Sequence, residues 1–478
     1  MRRMAVQMTA LDGDIIKIEA AALDEFSATL EGQVLQRGDP GFAEPIRIWN
    51  GMVSRTPAFV VQPASVNDVR ESIRFARTNG ILLSIKGGGH NIAGTALADG
   101  GLTLDMSQMR GVDVDAERRL ARVGPGCLLR DVDRATQNHG LATVLGMVSE
   151  TGVAGLTLGG GFGYLTRRFG WTVDNLDEVE IVTADGEVRR AARDEHEDLF
   201  WALRGGGGNF GVATRFVFRL HEVGPEITGG LVAWDGDDAG EVLRLYQEVA
   251  ETAPRDLTLA IMVRLAPAAP FVPERWHGKP IVVVIACHTG DPSRAARDVA
   301  RLRTFGRPIV DLIAQKPYVE QQSMFDGSQP GGMHQEWRAE FLSRLSAEVL
   351  ETFRQQGAGM RSPMSQLMIF QLGGALADRD ATATSFGNRD ADAFFASAGC
   401  WPPAAPEHEN DHAWARSAWE AIRPYSTGGN YVNAQAADDD DARLRAAYRE
   451  SFERLAALKA VYDPDNLFRV NRNIPPAP

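Results

Sequence analysis

Three clusters of glycine stand where main chain could touch a ligand. Gly87, Gly88 and Gly89 run into His90 and Asn91, with Gly94 just beyond. Gly152, Gly155, Gly159, Gly160, Gly161 and Gly163 form the second, and Gly205 to Gly208 with Gly211 the third. Glycine lacks the side chain that would hold a ligand away, and successive amides can then converge on an anion. One such cluster serves a tight turn as readily as a ligand. Three within about 125 residues point to one extended, phosphate-bearing ligand. His90 ends the run ILLSIKGGGH, a strand leading into glycines. That puts an imidazole where the backbone hugs the ligand, or else in a hydrogen bond to a neighbouring turn.

Two known signatures are present in letters only. Gly206, Gly208 and Gly211 spell G-x-G-x-x-G, which binds pyrophosphate when a strand precedes it and a helix follows. Here a helix-like DLFWALR precedes and a strand-like VATRFVFRL follows, so the context is inverted. No Walker A pattern occurs. His408-Glu409-Asn410-Asp411-His412 matches the zinc motif H-E-x-x-H, but it follows a proline-rich stretch and is crowded by Glu407 and Asp411. It reads as a solvated helix start, and no metal is expected.

The elements that must position these groups mix helix and strand without a strict βαβ rhythm. AFVVQP reads as a strand, Ser65 as the cap of a helix stopping at Gly80, and GGLTLDMSQM, GVDVDAERRLARVGPG and EVEIVTADGEVRRAA as further strands. After HEVGPE the texture shifts. LTLAIMVRLAPA and KPIVVVIACHTG look like long strands, GEVLRLYQEVAET and DPSRAARDVARLRTF like helices, and MSQLMIFQLGGALA like a strand pair. The tail carries Tyr431-Val432-Asn433 and one long helix, DDARLRAAYRESFERLAALKAVY. Its acidic run Asp438 to Asp441 suits a helix N-terminus better than a metal. The fold class expected is α+β.

Composition bounds the function. The 478 residues, 44% hydrophobic and 24% charged, make a globular chain of two or three domains. A net charge of −13 argues against nucleic acid or an anionic membrane as partner. Cys127, Cys287 and Cys400 are too few for a disulfide framework, and with no apolar leader or span the expectation is a soluble, cytoplasmic protein. Glycine, at 49 residues, is the one excess.

Taken in order, RTPAFVVQPASVNDV, IKGGGHNIAG, SETGVAGLTLGGGFGYLTRRFGWTVDNLDEVEIVTADG, DLFWALRGGGGNFGVATRF, YVN and YDPDNLFRVNRNIPP resemble the FAD-linked oxidases of the vanillyl-alcohol-oxidase (PCMH-type) fold. The resemblance runs from about residue 35 to 476 and is strongest to the berberine-bridge-enzyme-like group, in its bacterial secondary-metabolism branch. It implies an FAD-binding domain of two α+β subdomains over 1–220, a substrate domain with an antiparallel sheet over 221–424, and a 425–478 segment returning to the FAD domain. The cofactor would be FAD, cradled by Lys86, Gly87, Gly88, Gly89, Asn91 and Gly94. Val148, Gly152, Gly155, Gly159, Gly160, Gly163 and Val212 would line it further, with Tyr431, Asn433, Asn471 and Asn473 completing the site.

The family's covalent flavin histidine falls on His90. A second, cysteinyl link found in many members would come about eleven residues before the Gly159 run, where this chain has Val148, so a single histidyl link is expected. Tyr431 would lie beside the flavin and act on the substrate hydroxyl, as base or orienting acid; Gln371 would be a substrate contact. A glutamate base seen in some members has no clear counterpart. The activity implied is oxidation of an alcohol or activated C–H in a secondary metabolite or carbohydrate-like substrate, with O₂ reoxidising the flavin to give H₂O₂. A flavin dehydrogenase, an oxygenating flavoenzyme of antibiotic biosynthesis and a non-catalytic flavin-binding protein stay open as alternatives.

Overall fold

The computed structural model describes residues 5–405 and 410–478. Near the N-terminus a four-stranded sheet is ordered Gln33–Gln36, Phe59–Gln62, Leu102–Asp105, Leu83–Lys86, its last three strands parallel. The helix Val66–Thr78 covers it, capped by Ser65, whose side chain accepts from the Asp68 amide, and its apolar residues Val69, Ile73 and Ala76 recur at helical spacing into the sheet. A five-stranded antiparallel sheet follows, ordered Val188–Ala192, Leu176–Val182, Val212–Arg219, Leu120–Val123, Val112–Asp115.

The region 226–401 builds an eight-stranded antiparallel sheet centred on Glu226–Asp235, Pro280–His288, Leu257–Leu265, Gln366–Gln371, Ala393–Trp401 and His334–Leu342. Both faces are buried, and the period of two sorts each strand between two cores. Leu367 and Ile369 pack with helices Ala239–Thr252, Ala347–Gln356 and Asn410–Ile422. Met368, Phe370 and Phe394 face the opposite way, into the core shared with the first half of the chain.

Mixed α and β elements and an antiparallel second sheet match the expected fold class. Three local expectations change. MSQLMIFQLGGALA gives one strand, because Gly373 and Gly374 turn the chain with φ of +74° and +63° into a short 3₁₀ stretch. The long tail helix is two, Asp441–Tyr448 and Ser451–Tyr462, broken at Arg449 with φ +49°. DPSRAARDVARLRTF likewise divides into Pro292–Asp298 and Ala300–Thr304.

Within the acidic run, Asp440 caps the helix Asp441–Tyr448 by accepting from the Arg443 amide, as the macrodipole favours. Asp438 and Asp439 instead hold the buried Arg338 guanidinium at 2.6 and 3.0 Å. Glu407, His408 and Glu409 lie outside the described residues. His412 sits on the helix Asn410–Ile422 with its Nε2 3.4 Å from Glu336.

The tail is clamped to the third glycine cluster. Fully buried Lys459 donates to the carbonyls of Asn209 (2.7 Å) and Phe468 (3.0 Å) and pairs with Asp463, equally buried. Asn209 in turn donates to the Arg472 carbonyl and accepts from the Ile474 amide. Lys459→Met leaves the Asp463 carboxylate buried without its counter-charge, at a cost of about 3–5 kcal/mol. A urea unfolding curve should show the midpoint falling at constant slope; a loss below about 1 kcal/mol would mean the clamp contributes little.

Candidate functional site

The three glycine clusters converge on one cavity of about 370 Å³. Its floor is main chain: Gly87, Gly88 and Gly89 past the end of the strand Leu83–Lys86, Gly152 and Gly155 at the helix Val153–Leu158, and Gly207, Gly208 and Gly211 ahead of the strand Val212–Arg219. Its opposite wall is side chain, contributed by Trp337, Met368 and Phe394 of the large sheet. Two kinds of glycine occur here. Gly88 and Gly152 press back to back: a Cβ on Gly88 would stand 2.4 Å from the Gly152 nitrogen, and one on Gly152 2.3 Å from the Gly88 nitrogen. Gly155, by contrast, has nothing within 4 Å of its Cβ position, so the space it leaves belongs to the cavity.

His90 lines this cavity half-buried, its ring stacked on Trp49 with centroids 5.5 Å apart. Burial lowers its pKa to about 4, against an opposing pull from Asp326, so the imidazole is neutral near pH 7 and keeps a nitrogen lone pair. Asp326 is held by the Ser149 amide (2.8 Å) and hydroxyl (2.5 Å). Tyr431, 9% exposed, stands among Phe162, Phe341, Phe386 and Phe394. Its hydroxyl oxygen accepts from Asn433 Nδ2 at 2.9 Å, and the Gly161 amide nearby also favours the phenolate. Burial outweighs both and pushes its pKa up to about 12.

Of the residues expected at the site, Asn91, Val148, Asn433 and Asn471 also line the cavity. Lys86 is buried beside it in an ion pair with Asp105 at 3.2 Å. Gly94, Gly159, Gly160 and Gly163 are set back and serve close packing: their Cβ positions fall against Val53, Asn433, Phe386 and the Leu145 carbonyl. Val212 is buried between two lining residues, Gly211 and Ala213. Asn473 sits just past the lining residues Asn471 and Arg472, its Oδ1 buried and without a partner.

Gln371 is displaced from its expected role. It shares strand phase with Leu367 and Ile369, so it points to the helix face rather than the cavity. There its Nε2 donates to the Ala250 carbonyl (2.8 Å) and its Oε1 accepts from the Leu259 amide (3.2 Å).

Sequence reasoning missed Trp49, Gln329, Trp337, Tyr448 and Arg472, all of which line the cavity. Only Arg472, lodged between Asn471 and Asn473, had a local signal. The amide of Gln329, the Tyr448 hydroxyl, Asn471 Oδ1 and Arg472 Nε and Nη2 are buried polar atoms with no partner among the described residues. Such atoms are costly unless a ligand or water meets them.

Two family models match the chain: an FAD binding domain over residues 57–192 and a berberine and berberine-like segment over 430–475. An FAD-linked oxidoreductase of Dictyostelium discoideum is 30% identical, the alignment covering 95% of this chain and 97% of that one. The (R)-6-hydroxynicotine oxidase of Paenarthrobacter nicotinovorans is 32% identical over 94% and 97%. The crystal structure of 6-hydroxy-D-nicotine oxidase from Arthrobacter nicotinovorans superposes with a TM-score of 0.85 at 30% identity, covering 94% of this chain and 98% of that one.

The cavity fits an FAD. Open Cβ space at Gly155, converging glycine loops and unpaired Arg472 and asparagine atoms suit a long ligand with phosphates and polar edges. Gly155→Leu should therefore fill ligand space without disturbing the protein, giving an unchanged thermal melt of the apoprotein and a lowered flavin-to-protein ratio. Gly88→Ala should lower both, because its Cβ strikes backbone. A Gly155→Leu protein that keeps full flavin content would place the cofactor elsewhere.

Proposed function

The chain belongs to the FAD-linked oxidoreductases of the berberine-bridge-like family, and we propose that it is an oxidase that binds FAD through a single covalent link to His90 and takes hydride from an alcohol or activated C–H of a small molecule. One observation carries this reading: a neutral, half-buried imidazole and a buried tyrosine hydroxyl line the same cavity, between a main-chain floor and an aromatic wall. FAD held there would supply the hydride acceptor and the redox chemistry by which O₂ is reduced to hydrogen peroxide.

The residues divide the remaining work. Main-chain amides of the Gly87–Asn91 loop and Asn471 with Arg472 hold the cofactor's polar and phosphate groups. His90 tethers it; the stacked Trp49 fixes the imidazole plane. Val148 lines the cavity where many family members carry a second, cysteinyl tether, and a valine cannot form one. Trp337, Met368 and Phe394 exclude water above the site.

Tyr431 contributes as a donor. Its oxygen already accepts the Asn433 N–H, which leaves its own O–H hydrogen for a group in the cavity. With a pKa near 12 the phenol is protonated at neutral pH, so it orients the substrate hydroxyl rather than deprotonating it. Asn433 positions it, bridging the Tyr431 oxygen and the Leu156 carbonyl (3.2 Å).

Anaerobic mixing with a competent substrate should bleach the flavin, and aerobic turnover should release peroxide in step with product. Bleaching without peroxide would make the protein a dehydrogenase. Tyr431→Phe should slow flavin reduction about 10- to 100-fold, the effect of one buried hydrogen bond. The raised pKa keeps the phenol protonated below pH 10, so no rise in reduction rate between pH 6 and 10 should depend on Tyr431. A rise in that window that disappears in Tyr431→Phe would make the tyrosine a base.

A further inference from the structure

We infer that the substrate of this cavity is an uncharged, planar aromatic molecule bearing a hydroxyl or carbonyl group, and that Gln329 recognises that group. The inference rests on the oxidase reading above and narrows it, since alcohols of many kinds, carbohydrates included, would satisfy that reading.

The wall opposite the glycine floor is built for flat rings. Trp49 and Trp337 meet edge to face with centroids 6.0 Å apart, and Phe394 stands edge-on to Tyr431 at 6.0 Å and 89°. Trp49 gives a face to His90, while Trp337, half-buried and lining the cavity, keeps ring surface for a planar guest. Both indole N–H groups are already spent inside the protein: Trp49 Nε1 donates to the Gln329 carbonyl (3.0 Å) and Trp337 Nε1 to Gln335 Oε1 (3.1 Å). The tryptophans are thereby fixed in plane and offer a guest apolar surface only.

Charge is scarce on that wall. Among the described residues, the ionisable side chains lining the cavity are His90, Arg472, Tyr431 and Tyr448. His90 is neutral, both phenols are pushed up by burial, and Arg472, beside Tyr448, already feels the opposite charges of Asp438 and Asp439. The one carboxylate near His90, Asp326, is engaged by Ser149. An anionic or cationic substrate would find no counter-charge at the aromatic wall.

With the open Tyr448, Asn471 and Arg472 atoms given to the cofactor, polar recognition of the substrate falls to the Tyr431 hydroxyl and the Gln329 amide. Gln329 is 4% exposed, and neither its side-chain oxygen nor its nitrogen has a partner among the described residues. A buried primary amide left open in both its donor and acceptor is costly unless a ligand or water meets it, and the place of Gln329 on the cavity lining lets a ligand do so. Two such groups satisfy a phenol or a ring carbonyl together with the reacting hydroxyl. A disaccharide carries several times as many hydroxyls, most of which would be buried unpaired against indole and phenyl surface.

The test is equilibrium binding to the flavin-loaded protein, read from the flavin's visible absorption under anaerobic conditions. The probes are 2-naphthol, naphthalene and cellobiose. Binding of 2-naphthol should saturate with at least about 100-fold higher affinity than cellobiose. Gln329→Leu should weaken 2-naphthol about 10-fold or more while leaving naphthalene unchanged; Gln329→Asn, used if the leucine variant loses flavin, should do the same in smaller measure. Equal or tighter binding of cellobiose, an unaltered 2-naphthol affinity, or equal weakening of both aromatic probes would overturn the assignment. A protein that purifies without flavin would overturn the oxidase reading as well, whereas a yellow protein that prefers cellobiose would overturn the aromatic assignment alone.

Discussion

Backbone must touch backbone where the loop after the strand Leu83–Lys86 meets the start of the helix Val153–Leu158, and the rest of the site depends on that contact. Gly88 and Gly152 approach so closely that a single methyl on either would strike the other's main chain. The contact draws two loops from separate sheets into one floor. It also fixes His90, two residues further on, against Trp49, whose amide donates to the Gly89 carbonyl at 2.9 Å. Glycine here is a packing requirement first. The open floor at Gly155 and the reach of the imidazole follow from it.

The third wall arrives from far along the chain, and charge brings it there. Arg338 on the large sheet is buried and holds Asp438 and Asp439, while Arg443 from the next helix reaches Glu340 at 2.7 Å. These pairs set the segment carrying Tyr431 and Asn433 against the sheet. Lys459 and Asp463 then fasten the end of the tail to the Gly207–Asn209 turn. Buried ion pairs of this sort contribute little net stability against an apolar substitute, but removing one partner is expensive. They specify where the tail lies, and so where its tyrosine and asparagines point.

Much of this was legible in the sequence because its signals are local. Strands running into glycine, the inverted context of Gly206 to Gly211 and the Ser65 cap each follow from a few adjacent residues. Gln371 was misread for want of a phase: alternation marks Met368 and Phe370 as one face and Gln371 as the other, but which face meets the cavity is decided by helices elsewhere. The break at Arg449 had no glycine or proline to announce it. Trp49, Gln329 and Trp337 carry no motif at all. They become a wall only when the loop after Asp326 crosses to the N-terminal half, where the Gly332 amide donates to the Trp49 carbonyl at 2.8 Å and the Gly51 amide to the Met333 carbonyl at 2.7 Å.

The proposed covalent link between FAD and His90 sits at the end of the glycine floor. Peptide mapping of the purified yellow protein by mass spectrometry tests it most directly. The proteolytic peptide containing His90 should carry the mass of one flavin nucleotide, and the same peptide from His90→Ala should carry none. A His90 peptide found unmodified in protein that retains its flavin, or the flavin found on any other residue, would contradict it.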